Sequence, residues 1–407
     1  MCAVCCLIVN LSKTLLMALY LIPLLSDIWL WYALVTDLRD RNQTLRAVVL
    51  AVKAALSVAL LYIMIRVLLY GGEFADPANA YRQIVFGALS ALHELAALVY
   101  LVMALLTWLP GRLMKRRFKA AGTLNIIIFL QFVILFADGY FRQRFDLRVT
   151  RQEIAIKGLD PSLNGLKIVL TGDLHISSWH GHYDKLEEIM TAINQEEPDL
   201  LVNTGDFITF GWQEFGEVDT ILRKASAKNG AFAVIGNHDD GTYHPRYDES
   251  YGKECSEMIR SKITASGYHL LSDTVVITSH NGANIAVGGV VTHGHRLDIR
   301  YGDFEKVLRQ IPDSTFTVML LHDPAGWLLT AVTGRMPEIT LAGHTHGMQA
   351  GLPGGNRSPA EQFHERWKGL YSLAGSHLYV TTGLGTMGMA VRIFMPPEIV
   401  VITVTSE

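Results

Sequence analysis

Five short stretches of this chain end an apolar run on side chains that bind cations. They are Asp173 and His175 in GDLH, Asp206 in TGDF, Asn237 and His238 in IGNHDD, His322 in MLLHDP, and His344 and His346 in LAGHTHG. Singly, each has an ordinary reading. A GD or GN pair is common in turns, and a lone histidine after a strand is usually a surface or hydrogen-bonded residue. Five in succession are not explained that way. Carboxylate, imidazole and amide oxygen suit Mn, Fe or Zn, with no thiolate to select zinc alone. Alternate residues of an extended chain point the same way, so both ligands of DLH, and of HTH, face one side. Gly172, Gly205, Gly236 and Gly343 let the backbone turn tightly beside them. Two cations about 3.5–4 Å apart clamp an in-line displacement at phosphorus. The expected cofactor is therefore two divalent ions, with manganese favoured over iron or zinc.

Such residues need a frame. LKIVLTGDLH, DLLVNTGDF and AFAVIGNHDD read as strands. Between them, Leu186, Ile189, Met190 and Ile193 recur at helical spacing, and FGEVDTILRKASAKNG is a second helical stretch closed by Gly230. Strand–helix–strand–helix–strand order predicts a parallel sheet. In open α/β sheets, ligands gather at the carboxyl ends of strands, which is where these side chains fall. Further strands are predicted at Val275–Ile277, Ile285–Val291, Thr317–Leu321, Ile339–Ala342, Leu378–Thr381 and Ile399–Val404. They lack full helical crossovers, which predicts a second sheet. Leu352–Gln362, LPGGNRSPAEQ, reads as an exposed loop.

The ordered pattern D-x-H, G-D, G-N-H-D, H, G-H-x-H resembles the calcineurin-like metallophosphoesterase superfamily. The tail GLGTMGMAVRIFMPPEIVVITV is similar to that of its bacterial membrane-associated, YkuE/YaeI-like branch. The resemblance covers about Leu166 to Val404. It implies a four-layer α/β/β/α sandwich. It implies that Asp173, His175 and His346 hold one ion, that Asn237, His322 and His344 hold the other, and that Asp206 bridges both. A bridging hydroxide would be the nucleophile. His238 would protonate the leaving oxygen or stabilise phosphoryl charge, and Asp239 would either orient His238 or serve as a simple turn residue, the two readings standing level. Asn237 ligates without adding charge to an already anionic site. One departure is Met348, in Gly347-Met348-Gln349, where that branch carries a second glycine; Met348 is expected to narrow or grease the pocket wall. His180, His182, His244, His293, His295, Trp212, Phe215, Trp367 and Arg357 are weaker candidates, with surface or packing roles favoured.

Half of the chain is hydrophobic and 18% is charged, for a net charge of -3. The apolar excess lies in the first 140 residues, in runs near Leu15–Val35, Ala47–Tyr70, Ile84–Leu109 and Leu124–Ala137. About 20 mostly apolar residues cross a bilayer core; the last run is short of that. Arg39, Arg41 and Arg46 follow the first run, and Arg112, Lys115, Arg116, Arg117 and Lys119 the third. The positive-inside rule puts those connections in the cytoplasm and both termini outside. Arg142, Arg144, Arg148 and Arg151 oppose this, but long domains translocate largely regardless of charge. Asp27, Lys53, Arg66, His93 and Glu94 lie within the runs; pairing between helices is favoured over a proton path. Cys2, Cys5 and Cys6 crowd one end, so with Cys255 they form no disulfide framework. No basic nucleic-acid stripe is present.

These readings divide the chain into a transmembrane region (1–140), a linker with a first strand (141–165) and a metallophosphoesterase domain (166–407). They predict a hydrolase of phosphodiester or pyrophosphate bonds in the bacterial inner membrane. Its catalytic domain is extracytoplasmic and its substrate a phosphorylated small molecule or lipid. A UDP-acylated-sugar pyrophosphatase is the near alternative. A transporter or receptor with a metallophosphoesterase-like sensor domain is the alternative of another class.

Overall fold

A computed structural model of the chain describes residues 13–69, 74–113, 119–294 and 298–407. Cys2, Cys5, Cys6, Lys115, Arg116, Arg117 and His295 lie outside the described residues. The apolar runs form helices α1 (Lys13–Asp37), α2 (Gln43–Leu69), α3 (Pro77–Leu113) and α4 (Lys119–Phe141). Stretches Gln43–Leu69, Pro77–Thr107 and Ala120–Phe145 are long and apolar enough to cross a membrane. The last outgrows its expected length because Ala120, Ala121 and Gly122 before the apolar run, and Asp138 to Phe141 after it, continue the helix.

Leu30, Leu34, Leu38, Val49, Ala96 and Phe129 pack inside the bundle. Val58, Leu69, Leu105, Leu106 and Ile134 are each more than half exposed on its outside. So broad an apolar surface is foreign to water-facing helices and fits a lipid one. At one end, Asn125 of α4 donates to Asp37 of α1 at 3.2 Å. The other end meets the α/β region. Midway, Asp27 Oδ1 takes bonds from the Lys53 ammonium and from Ser57 Oγ at 2.8 Å, with His93 Nε2 3.1 Å away. Lys53 is fully buried. Removing one partner of a buried ion pair costs about 3–5 kcal/mol, because the other charge is stranded. Lys53→Met is therefore expected to lower the thermal midpoint in detergent, with Lys53→Met/Asp27→Asn recovering most of the loss.

Beyond Phe141, a turn at Gln143–Phe145 leads into β1 (Arg148–Ile156). The predicted elements follow as β2 (Lys167–Thr171), α5 (Tyr183–Gln195), β3 (Leu200–Asn203), α6 (Val218–Leu222) and β4 (Ala231–Ala233). The second helical stretch is thus much shorter than expected. A helix absent from the sequence reading, α7 (Glu249–Ala265), leads on to β5 (His269–Leu270). It buries Cys255, Ile259 and Ile263 four residues apart, too sparse a stripe to stand out. Next come β6 (Thr274–His280), β7 (Ala283–Gly289), β8 (Thr292–His293), β9 (Arg300–Tyr301), α8 (Phe304–Arg309), β10 (Phe316–Leu320), α9 (Trp327–Val332) and β11 (Ile339–Ala342). The chain closes with β12 (Gly369–Leu373), β13 (Ser376–Val380) and β14 (Glu398–Ser406).

The strands form two six-stranded sheets, ordered β1-β14-β2-β3-β4-β5 and β12-β13-β11-β10-β7-β6, with a small β8-β9 ribbon. The first is mixed rather than parallel: β14 runs antiparallel to β2. The long return of the C-terminal strand made that pairing invisible to local pattern. Strands β3, β10 and β11 are buried at every position, as expected for strands covered on both faces. One core lies between the sheets (Ile168, Val202, Val287, Leu341). A second joins the first sheet to α5, α6 and α7 (Val169, Ile189, Leu222, Ile259), and a third joins the other sheet to α8 and α9 (Met319, Val307, Trp327). The result is the expected α/β/β/α layering.

Bundle and sandwich touch closely. The Ala390 amide donates to the Ile84 carbonyl of α3 at 2.9 Å. A Cβ on Gly87 would lie 1.9 Å from the Gly388 carbonyl oxygen, so only glycine fits there.

Candidate metal centre

Parallel strands β2, β3 and β4 end side by side, as do β10 and β11. The loops leaving those ends carry Asp173 and His175, Asp206, Asn237 and His238, His322, and His344 and His346. Two ligand groups converge there: Asp173, His175 and His346, and Asp206, His322 and His344. In the first, His175 Nε2 and His346 Nε2 are 3.1 Å apart and His346 Nε2 is 3.6 Å from Asp173 Oδ1. In the second, His322 Nε2 lies 3.1 Å from Asp206 Oδ2 and 3.1 Å from His344 Nδ1. The same Asp206 Oδ2 is 3.7 Å from His175 Nε2, so one carboxylate oxygen faces both groups.

Asn237 completes the ring. Its Nδ2 donates to Tyr243 Oη at 2.8 Å, while its buried Oδ1 has no partner. A buried, unpaired amide oxygen is costly, and a cation satisfies it. Two imidazole nitrogens facing each other at 3.1 Å make the same demand. The donor set therefore fits two divalent ions.

Burial pushes His175 down to about 3 and His344 down to about 4, and holds His346 well below the usual histidine range. All three are neutral, as ligands must be. Burial also opposes charge on His322, but the Asp206 carboxylate outweighs it and pushes His322 up to about 10; a cation bound between the two would displace that proton. Its Nδ1 lies 2.9 Å from the Thr204 carbonyl, which fixes the ring with Nε2 inward.

The loops are bent hard to achieve this. Asp173, His175, Asp206, His344 and His346 all have positive φ, between 40° and 72°. Side chains seldom adopt that region, and each instance costs about 1–3 kcal/mol. The glycines act chiefly by leaving room: a Cβ on Gly236 would lie 2.2 Å from Asp206 Oδ1, and one on Gly343 2.5 Å from Asp173 Oδ2.

His238 stands outside both groups. Its Nδ1 meets the Thr209 carbonyl at 2.7 Å, and its ring stacks on Tyr243 with centroids 3.9 Å apart. Burial lowers its pKa. Asp239 does not orient it, which corrects the expectation from sequence. The Asp239 carboxylate is committed to the amides of Asp206, Phe207, Ile208 and Gly236, at 2.8–3.2 Å. It clamps the Asp206 loop instead.

The centre opens into a cleft lined by Asp206, Asn237, His238, His344 and His346 and by Met348, Phe363, His364, Met387, Gly388 and Met389. Met348 forms part of the wall, as expected, and does so at a φ of 48° that favours glycine. None of His180, His182, His244, His293, Trp212, Phe215, Trp367 and Arg357 is among the lining residues. Phe215 is core, His244 stacks on Tyr251, and Arg357 pairs with Glu361 at 2.8 Å.

Three supports escaped the sequence reading. Glu214 accepts the amides of Thr209, Phe210 and Gly211. Thr209 then offers its carbonyl to His238 and its hydroxyl to His175 Nδ1 at 3.1 Å. Arg392, fully buried, donates to the carbonyls of Thr382, Gly383, Gly385, Met395 and Pro396. Burial pulls it down only to about 10, so it stays charged. A charged residue within an apolar tail was the signal available. Arg392→Met strands five carbonyls, at about 1–3 kcal/mol for each left unsatisfied. A marked drop in the unfolding midpoint in denaturant is expected, with Arg392→Lys recovering part of it.

Residues 166–348 match the family described as calcineurin-like phosphoesterase. The chain is 30% identical over 275 residues to metallophosphoesterase YkuE of Bacillus subtilis (strain 168), spanning 66% of this chain and 90% of that protein. It is 26% identical to a Bos taurus transmembrane protein with metallophosphoesterase domain, over 72% of this chain and 66% of the relative. It is also 26% identical to UDP-2,3-diacylglucosamine pyrophosphatase LpxG of Chlamydia trachomatis serovar D, over 62% and 88%. With the fold, the converging ligand loops and these relatives in agreement, the chain belongs to the calcineurin-like metallophosphoesterase family and is a phosphoester hydrolase.

Proposed function

We propose that this protein is a membrane-anchored, dinuclear-metal-dependent hydrolase of phosphodiester or pyrophosphate bonds. Its substrate is a lipid or lipid-linked molecule. The observation that carries the reading is Asp206 Oδ2, which faces both ligand groups at once. Asp173, His175 and His346 hold one cation, Asn237, His322 and His344 the other, and Asp206 is shared. When bound, the pair supplies Lewis-acid activation of water and of the phosphoryl group. His238, held at Nδ1 by Thr209, lines the cleft; burial disfavours its charged form, so it would take up its proton beside the anionic phosphoryl group and give it to the leaving oxygen.

The lipid assignment draws on the apolar wall of Met348, Phe363, Met387 and Met389, and on the seat of that wall against α3. Similarity to LpxG favours a second reading, cleavage of a UDP-linked acylated sugar. A sensor that has lost catalysis is disfavoured by the complete ligand set. An extracytoplasmic catalytic domain in a bacterial inner membrane is supported by the basic residues: Arg39 and Arg41 lie at the bundle end where α1 meets α4, away from the sandwich. On this reading residues 1–140 anchor and 166–407 catalyse, with β1 as the join.

The test is hydrolysis by the full chain in detergent with Mn²⁺, offering a phospholipid, a lipid-linked pyrophosphate, a UDP-diacylated sugar and an aryl phosphodiester. Turnover of the aryl compound alone would remove the lipid assignment, and release of UMP from the sugar nucleotide would select the second reading. Protease accessibility in intact cells decides the orientation.

A further inference from the structure

The residues that lead into α3, from Phe74 onward, pack behind the metal centre. Phe74 is buried and packs edge-on against Phe210, with ring centroids 4.8 Å apart, and against His244 at 5.9 Å. Phe74, Ala75 and Ala80 form one buried apolar cluster with Phe210 and Tyr243. The fit is close on the neighbouring side too: a Cβ on Gly211 would lie 2.9 Å from Ala75 Cβ. Asp76 fixes where this lead-in ends, accepting the amides of Ala78 and Asn79 at 3.0 and 3.2 Å as α3 begins.

The two sandwich residues in this cluster are those on which the centre leans. Tyr243 stacks on His238 and holds Asn237 Nδ2, which leaves Asn237 Oδ1 turned inward. Phe210 follows Thr209, whose carbonyl meets His238 Nδ1. Tyr243, which supports His238 and anchors Asn237, and Phe210, the neighbour of the other support, thus share one buried cluster with side chains from the start of α3 and the residues just before it.

We propose that Phe74 is a positioning residue of the metal centre, acting through Tyr243 and Phe210 on Asn237 and His238. The N-terminal helices are then a working part of the active site as well as an anchor. The inference rests on the hydrolase reading for its catalytic consequence, but its effect on cation binding does not. Partners behind a ligand typically govern metal affinity by about 10–100-fold. Small displacements of a positioned group cost up to about 100-fold in rate.

The experiment uses the full chain in detergent, with Mn²⁺ binding followed by calorimetry and hydrolysis of an aryl phosphodiester followed in parallel. Phe74→Ala and Tyr243→Phe are expected to weaken the second Mn²⁺ by about tenfold or more. In Phe74→Ala, kcat is expected to fall at saturating Mn²⁺ while KM stays within about twofold, with Phe74→Leu restoring most of the loss. A folded Phe74→Ala protein with unchanged Mn²⁺ affinity and kcat overturns the proposal. Should Phe74→Ala not fold, the cycle Phe74→Val, Tyr243→Phe and the double variant decides: non-additive losses of Mn²⁺ affinity support the coupling and additive ones refute it. A parent protein that binds Mn²⁺ yet hydrolyses nothing would sink the hydrolase reading, and the affinity measurements would still decide this one.

Discussion

Asp206→Asn is expected to abolish hydrolysis and to leave the protein folded. The Asp206 carboxylate is the group that faces both ligand sets, so an amide there removes the shared anion and one of its two equivalent oxygens. Metal analysis is expected to fall from two ions per chain to one or none. The fold should not suffer. Asn Oδ1 still accepts the His238 amide, which Asp206 Oδ1 now takes at 2.9 Å. Burial raises the Asp173 carboxyl to about 7, with the Asp206 charge adding to the effect. Neutralising Asp206 relieves that repulsion. Against that relief stands the loss of the Asp206–His322 pairing, so in EDTA the variant is expected to fold and to melt at or below the temperature of the parent. Hydrolysis surviving with two ions bound would remove Asp206 from its bridging role, and the two-metal reading with it.

His238→Ala carries the second large effect and separates catalysis from ligation. His238 belongs to neither ligand group, and its ring lines the cleft. Loss of a positioned acid costs about 10²–10⁴-fold in rate. That loss is expected in kcat, with two ions still bound. It should be smaller for a substrate whose leaving group is a good one, such as a nitrophenolate, because that oxygen needs no proton. An equal loss for good and poor leaving groups would argue against proton donation and for phosphoryl-charge stabilisation alone. Disappearance of one ion would make His238 a ligand. Asp239→Asn is the useful contrast. Its carboxylate clamps four amides, so its replacement should act through the Asp206 loop, on metal retention and stability together.

Much of the centre was legible because metal ligation needs particular atoms at strand ends. Asp173, His175, Asp206, Asn237, His322, His344 and His346 are each identifiable from residue type and from the apolar run before them; six of them fall into two candidate groups, and Asn237 lines the cleft beside them. Local pattern also located most strands, since buried strands read as unbroken apolar runs. It failed where long-range pairing decides. The antiparallel insertion of β14 beside β2 joins residues at least 230 positions apart, and no nearby signal marks it. It failed again at α7, whose apolar stripe is thin, and at Asp239, whose neighbour in sequence is not its partner in space.

Residue type and order alone marked two candidate ligand groups, carried on an α/β frame behind a strongly apolar N-terminal third. Hydropathy and ligand identity are properties of single residues and short windows, so they survive in a linear reading. The supports were decided only by tertiary structure. Glu214 and Arg392 bond within their own loops, but Thr209 meets His175 and His238, 34 and 29 positions away, and Phe74 joins one cluster with Phe210 and Tyr243. Which segments meet depends on how the sheets and helices pack, and burial then makes the polar contacts obligatory.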